Sequence, residues 1–226
     1  VSQSLVFINF AIFSAWAVLY RISPQMGYDA FIELGFRSMY LESPEFGLLT
    51  LISAMFMHGG PMHLLMNMLI LILLGVPFED RIGSRAFLRI YLISGVIGSL
   101  VTGSISVLNE TGLETINIGA SGAVFGIMGG FALLYPRDEI PMLLGPIFMH
   151  RVPVLLATLV FIGMETLYVG LGTEDGIGHG THMASFIAGV FLAPYFTSKK
   201  EVETNPEIGL ERLVKLSGIT KKGNYE

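Results

Sequence analysis

Long apolar stretches separated by polar connections dominate the pattern of this chain. Six of them come close to the roughly 20 residues that a helix needs to cross the hydrocarbon core of a bilayer. They cover residues 4–20, 61–78, 86–107, 119–135, 152–171 and 178–196. The pattern predicts an all-α, polytopic membrane protein whose six transmembrane helices form a bundle.

The connections divide the chain into one membrane domain and a tail. Residues 21–58 form a long loop, and its segment 26–41 mixes apolar with charged residues, a pattern typical of a helix that lies in the membrane interface. We predict a six-span domain at 1–197 and a polar cytoplasmic tail with a short amphipathic helix at 198–226.

Composition supports a membrane protein and excludes several chemistries. Of the 226 residues, 52% are hydrophobic and 14% are charged, whereas soluble domains have about 25% charged residues. The absence of cysteine excludes disulfide scaffolds, thiolate metal sites and cysteine nucleophiles. The net charge of -5 provides no basic surface for nucleic acid, so we expect no nucleic-acid partner.

Lys and Arg are distributed unevenly among the connections, and this predicts the orientation. Eleven of the thirteen follow the second, fourth and sixth stretches. Because positively charged connections stay in the cytoplasm, both termini should be cytoplasmic. The second, fourth and sixth helices should then begin at the outer face.

Polar side chains that a membrane disfavours lie at the beginnings of these same three helices. His63 and Asn67 lie in the second stretch, Ser121 in the fourth and His182 in the sixth. Such residues mark function by default. At 1.5 Å per residue, their positions in the first two turns share one depth, about 5 to 10 Å below the outer surface. The sequence therefore predicts one polar layer near the outer face.

A serine between small residues begins the fourth stretch. In Gly119-x-Ser121-Gly122 the glycines allow a scissile backbone to approach, and the unpaired N–H groups of a helix start favour an oxyanion. Its base should be His182, which lies deeper in its helix than His179. Because the outer halves of the second, fourth and sixth helices contain no acidic residue, we predict a Ser-His dyad rather than a triad.

Other polar and small residues complete the predicted site. His63 and Asn67 share one helical face, so both can donate to one oxygen. Gly189 belongs to a small-residue face that brings the sixth helix to the fourth. Phe125 should pack in the core or flank the ring of His182. Glu165, a carboxylate in the fifth stretch, has no obvious partner and receives no role.

Structural interpretations remain open for each of these residues. A lone serine in a span usually packs between helices, and we favour a structural role for His179. A histidine metal site is conceivable, but no nearby carboxylate completes a familiar ligand set, so we expect neither metal nor cofactor. That set would contain His58, His63, His179 and His182.

Taken together, the motifs carry a resemblance to a known family. His58-x4-His63-x3-Asn67 before and within the second stretch, Gly119-x-Ser121-Gly122 in the fourth and His182 in the sixth resemble the rhomboid family of intramembrane serine proteases.

The resemblance implies a six-span endopeptidase that cuts single-pass membrane proteins near the outer end of their transmembrane helix. Ser121 would attack, and His182 would act as base and then as acid. His63, Asn67 and the backbone N–H of Ser121 would hold the oxyanion, and His58 would have a supporting role. The implied location is the cell membrane of a prokaryote, with the lipid bilayer as partner; the oligomeric state is open.

Two departures from the family pattern lie outside the predicted chemistry. Leu49 and Thr50 occupy the place of a Trp-Arg pair that many relatives carry in the first loop, and this puts the anchoring of that loop in question. Ser185 replaces a common glycine, which is expected to loosen the contact between the fourth and sixth helices.

Two functions of other classes compete with proteolysis. A catalytically idle scaffold that escorts membrane clients would need neither Ser121 nor His182 to react. A transporter with a histidine proton relay would depend on His63 and His182 but not on Ser121.

Overall fold

The computed structural model describes residues 1–42, 44–144, 147–171 and 178–197. The predicted tail at 198–226 lies outside the described residues. The α-helices are α1 (Ser2–Ile22), α2 (Pro24–Leu34), α3 (Pro44–Ser53), α4 (Pro61–Ile70), α5 (Val76–Ile82), α6 (Ser84–Asn109), α7 (Ser121–Leu134), α8 (Val154–Leu171) and α9 (His179–Phe196). Also present are 3₁₀-helices Ser38–Leu41 and Ala54–Phe56, a π-helical turn Leu71–Gly75, and strands β1 (Glu139–Leu144) and β2 (Ile147–Pro153).

Helices occupy all six predicted stretches, which confirms the all-α membrane fold. Within the described residues, three helical segments are long and apolar enough to cross a membrane: Ser2–Ile22, Pro61–Ile82 and Ser84–Asn109. The apolar helices Ser121–Leu134 and Val154–Tyr168 are shorter. The count of six spans therefore stays a prediction.

α7 is the central helix of the bundle. Its residues 122–132 are all buried, because α6 and α9 pack against it. Its 14 residues extend about 21 Å at 1.5 Å per residue, less than the roughly 30 Å of a hydrocarbon core. A helix this short allows its first residue, Ser121, to lie below the membrane surface.

Glycines bring α6 and α9 into close contact with α7. A Cβ added at Gly189 of α9 would overlap the backbone carbonyl of Gly126 in α7, and one added at Gly126 would overlap Ser94 of α6. Ser185 is fully buried at this contact, and the loosening expected from it stays a prediction. A Cβ at Gly122 would lie 3.2 Å from Ser185 Oγ, so the hydroxyl fills the space between the helices.

The first loop is anchored from α1 by Trp16. Its Nε1–H donates to the carbonyl of Gly27 over 2.9 Å, and its ring centroid lies 5.7 Å from that of Phe31. The single interfacial helix predicted at 26–41 is replaced by α2 and the 3₁₀-helix Ser38–Leu41. This correction follows from Gly35, whose extended backbone ends α2.

An antiparallel hairpin of β1 and β2 connects α7 to α8, and the sequence analysis did not predict it. Ile140 pairs with Val152 across the hairpin. At its base, Arg81 Nε donates to Asp138 Oδ2 over 2.7 Å. Strands of six and seven residues give a weak periodic signal between two long apolar helices.

Candidate active site

The crossing of α7 and α9 brings Ser121 and His182 together. Ser121 is the first residue of α7, and His182 lies in the first turn of α9. The Oγ atom of Ser121 lies 2.7 Å from Nε2 of His182, which is a hydrogen-bonding distance. His182 is only 6% exposed. The distance and the burial allow a proton to pass between the hydroxyl and the imidazole.

Phe125 holds the ring of His182 from the α7 side. It lies one turn after Ser121, and its ring stacks on the imidazole with centroids 4.4 Å apart and planes 6° apart. Both predicted positions of Phe125 are found, because its side chain is buried in the hydrophobic core and also flanks His182. The stacking and the glycine contact at Gly189 both restrict where the imidazole can lie.

The loop before Ser121 is held by the first loop, a contact that the sequence analysis missed. Phe36 and Asn117 exchange backbone hydrogen bonds, with N···O distances of 3.0 and 2.7 Å. The N–H of Gly119 donates to the carbonyl of Ala54 over 2.8 Å. Gly119 has a φ of 113°, which side chains disfavour, so a glycine is needed where the chain turns into α7.

His58 supports the same loop. It is 1% exposed, and its Nε2 accepts a hydrogen bond from the N–H of Ala120 over 3.5 Å. Burial and, to a smaller extent, the charge of nearby His63 lower the pKa of His58 to about 4. The ring is therefore neutral at neutral pH and keeps the lone pair that the N–H needs. This places His58 behind Ala120, the residue before Ser121.

His63 and Asn67 converge on Gly119 from α4. The Nδ1 of His63 accepts a hydrogen bond from the N–H of Gly59 over 3.4 Å, so its proton belongs on Nε2. A Cβ added at Gly119 would lie 2.7 Å from that Nε2 and 3.8 Å from Nδ2 of Asn67. One N–H of Asn67 donates to the His63 carbonyl over 2.9 Å, which leaves the second available. Two donors thus face the turn before Ser121.

A cavity of about 720 Å³ connects these groups. Its volume lies within the range of about 300 to 1,000 Å³ that is typical of ligand sites. Its walls include His63, Gly119, Ser121, Gly122 and His182. The cavity gives a ligand access to Ser121, His182 and His63 together.

Glu165 of α8, which the sequence analysis left without a role, contacts both histidines of α9. Its Oε2 lies 2.6 Å from Nδ1 of His179, and its Oε1 lies 3.1 Å from Nδ1 of His182. The ring of His179 also stacks on Tyr168 with centroids 5.2 Å apart. The dyad prediction considered acidic residues on three helices only. The available signal was the intramembrane carboxylate itself, because such groups mark function by default.

These three residues also have the composition of a metal site. The ligand atoms of Glu165, His179 and His182 lie within 4.8 Å of one another. A tetrahedral zinc ion with bonds of about 2.0 to 2.1 Å separates its ligand atoms by about 3.3 Å. The 2.6 Å between Glu165 and His179 is shorter and is a hydrogen-bonding distance. The geometry fits a carboxylate bound directly to histidine better than a preformed zinc site.

Comparison with known proteins agrees with the resemblance. The model of a family described as the Rhomboid domain matches residues 45–199, more than half of the chain. The chain belongs to the rhomboid family. The match includes every rhomboid motif residue named above, from His58 to His182.

Individual rhomboid relatives match parts of the chain. RHOMBOID-like protein 4 of Arabidopsis thaliana is 37% identical over 142 residues, 63% of this chain and 32% of that protein. Rhomboid-like protease 3 of Toxoplasma gondii is 27% identical over 164 residues, 72% of this chain and 56% of that protein. Rhomboid protein 1, mitochondrial, of Saccharomyces cerevisiae is 32% identical over 99 residues, 44% of this chain and 29% of that protein.

This rhomboid is an integral membrane protein, as its family and its apolar helices indicate. The matched region spans between 29% and 56% of the length of these curated relatives. All three relatives are eukaryotic, so a prokaryotic membrane stays a prediction.

Proposed function

We propose that this rhomboid is a serine-type endopeptidase that hydrolyses peptide bonds within or near the outer end of transmembrane segments of single-pass membrane proteins. Family membership supports a protease-like function in the membrane. The observation that carries the proposal is the 2.7 Å between Ser121 Oγ and His182 Nε2, at the wall of a cavity of about 720 Å³.

Ser121 and His182 carry out the acylation step. The Oγ of Ser121 attacks the scissile carbonyl carbon while its proton moves to Nε2 of His182. The carbonyl π electrons move to the oxygen, which becomes the oxyanion of a tetrahedral intermediate. As the C–N bond breaks, the imidazolium of His182 gives the proton to the leaving amine. The product is an ester on Ser121.

Water completes the reaction in the same geometry. A water molecule in the cavity loses a proton to Nε2 of His182 and attacks the ester carbonyl. The second tetrahedral intermediate expels Ser121, whose oxygen recovers the proton from His182. The carboxyl product leaves and the enzyme returns to its starting state, so the reaction needs no cofactor.

Three N–H groups stabilise the oxyanion in this mechanism. They are Nε2–H of His63, the second amide N–H of Asn67 and the backbone N–H of Ser121. The first two face Gly119, and the third belongs to a helix start whose N–H has no partner within the helix. One such donor typically contributes about 100- to 1,000-fold to kcat.

The predicted orientation explains how this site reaches its substrates. With both termini cytoplasmic, α7 begins on the outer side of the membrane and its short length keeps Ser121 below the surface. A substrate helix must unwind to enter, because non-helical backbone at this depth is tolerated only where it lines a polar cavity. The depth of Ser121 and the polar cavity support cleavage near the outer end of a single-pass segment.

Cleavage of reconstituted single-span substrates tests the proposal. Purified protein in proteoliposomes should cut members of a panel of single-pass proteins near the outer end of their helix, as located by mass spectrometry of the fragments. Ser121→Ala should remove cleavage, and His182→Ala should reduce it by at least about 1,000-fold. Ser104→Ala, which changes an exposed serine of α6, is the matched control and should keep the full rate.

Two results would contradict the proposal. Cleavage that persists in Ser121→Ala would assign the chemistry to another group. Binding of the panel without cleavage by the folded wild-type protein would favour the idle scaffold instead.

A further inference from the structure

The carboxylate of Glu165 lies where it can control the proton on His182. The Glu165 side chain is 12% exposed and the His182 side chain 8% exposed, and Oε1 of the first lies 3.1 Å from Nδ1 of the second. The other ring nitrogen, Nε2, faces Ser121. The two nitrogens of one imidazole therefore face a carboxylate and a hydroxyl.

Only one neutral tautomer of His182 can accept the serine proton. If the proton is on Nε2, that atom cannot act as base; if it is on Nδ1, the lone pair of Nε2 is free for the Ser121 O–H. Among the described residues, Nδ1 of His182 is buried and makes no hydrogen bond. Oε1 of Glu165 lies 3.1 Å from this nitrogen. The negative charge of the carboxylate favours a proton on Nδ1.

A second histidine holds the carboxylate in this position. The Nδ1 of His179 lies 2.6 Å from Oε2 of Glu165. The ring of His179 is in turn stacked on Tyr168 with planes 20° apart. One oxygen is thus bound by His179 while the other faces His182, so the carboxylate lies between two rings of α9. An intramembrane carboxylate without such partners is costly.

We propose that Glu165 is a positioning residue that keeps the proton of His182 on Nδ1 and then stabilises the imidazolium formed during catalysis. The inference rests on the proposed function. When Nε2 takes the Ser121 proton, both ring nitrogens carry protons and the ring becomes positive. Glu165 stays ionised throughout, and the Nε2 proton leaves with the amine.

The size of the effect follows from the geometry. In serine proteases with an aligned His–carboxylate hydrogen bond, removing the carboxylate charge lowers kcat by about 10⁴. Here Oε1 and Nδ1 are at ion-pair distance but outside hydrogen-bond geometry, so charge acts without that alignment. Because the carboxylate is not aligned with Nδ1, we expect removal of its charge to lower kcat by only about 10- to 100-fold.

Glu165→Gln tests the proposal because it keeps the shape of the side chain and removes its charge. We expect kcat on the model substrate to fall about 10- to 100-fold with KM within about twofold and the thermal unfolding midpoint retained. The matched control is Thr166→Val on the same helix, which changes an exposed residue and should leave both constants unchanged. If Glu165 only joins α8 to α9, Gln can still donate to and accept from the histidines. An unchanged kcat in a folded Glu165→Gln protein would overturn the proposal.

A spectroscopic measurement tests the tautomer without any Glu165 variant. The chain has five histidines, and the ¹⁵N shifts of labelled His182, identified by difference from His182→Ala, report which nitrogen is protonated. We expect the proton on Nδ1, and a proton on Nε2 would overturn the proposal even if Glu165→Gln does not fold.

Ser121→Ala is assayed in parallel. Cleavage that survives there overturns the proposed function, whereas an inactive Ser121→Ala beside a fully active Glu165→Gln overturns only this inference.

Discussion

His182 is contacted from two sides that differ in kind. On the α7 side, the ring of Phe125 stacks on the imidazole with centroids 4.4 Å apart, and the contact of Gly189 with Gly126 holds the helix that carries His182; both are packing contacts. On the α8 side, Glu165 faces Nδ1 at 3.1 Å, a contact of charge. Packing determines where the imidazole lies, and by our proposal charge determines which nitrogen holds the proton. Changes on the packed side should therefore lower stability and activity together, and changes to the polar groups should lower activity alone.

The largest effect is expected where the packed side is broken. Gly189→Leu would place a side chain in the backbone of α7 at Gly126. We expect the free energy of unfolding to fall by about 3 kcal/mol, the upper end of the range for overpacking, and substrate cleavage to be lost. Thermal unfolding in detergent and the cleavage assay measure the two effects.

Gly163→Leu is the matched control for this prediction. An added Cβ at Gly163 of α8 meets no atom within 4 Å, so stability should change by less than about 0.5 kcal/mol. Equal destabilisation by the two variants would mean that the contact of α7 with α9 tolerates an added side chain as well as the open position at Gly163 does.

The second-largest effect is expected on kcat when the polar side chain of Asn67 is removed. Asn67→Ala removes an amide whose free N–H faces Gly119, so kcat should fall about 100- to 1,000-fold, as for the loss of one oxyanion donor. The unfolding midpoint should stay close to that of the wild type. Met66→Ala, at an exposed position one residue away, should keep its rate within about twofold. If Asn67→Ala lost stability in proportion to its rate, Asn67 would belong to the packed side.

At Phe125 we expect a smaller effect, on both the cleavage rate and the stability. Phe125→Leu removes the stacked ring but keeps an apolar side chain, and aromatic pairs contribute about 0.5 to 1.5 kcal/mol beyond their buried area. The cleavage rate should fall about threefold to tenfold, with a stability loss of about 1 kcal/mol. Phe191→Leu on the same helix as His182 changes a phenylalanine that is 73% exposed and is the control. A rate loss equal to that of Asn67→Ala would show that the stacking contributes as much as an oxyanion donor, which would contradict the expected order of the two effects.

The sequence predicted those features that follow from local pattern. Apolar runs located the helices, and polar residues at three helix starts located the layer that contains Ser121, His63 and His182. The hairpin of β1 and β2 was not predicted, because its strands are too short to show a clear alternation of apolar and polar residues. The first loop was corrected because the extended backbone of Gly35 ends α2, and a single glycine in the sequence does not specify that conformation.

Glu165 shows the limit of such reasoning most clearly. A carboxylate on the fifth helix can be recognised as unusual from the sequence, but its partners depend on how α8 rotates against α9, which no spacing rule specifies. The same holds for the bridge between Phe36 and Asn117, where two loops far apart in the chain pair by tertiary contact.

Mapping the adduct of a serine-reactive fluorophosphonate identifies the nucleophile of this rhomboid. Purified protein is treated with the reagent and digested, and the modified peptide is sequenced by mass spectrometry. The account predicts one adduct on Ser121, none in Ser121→Ala and a rate at least about 100-fold lower in His182→Ala. Equal labelling of Ser121→Ala, or an adduct on another residue of the wild type, would contradict it.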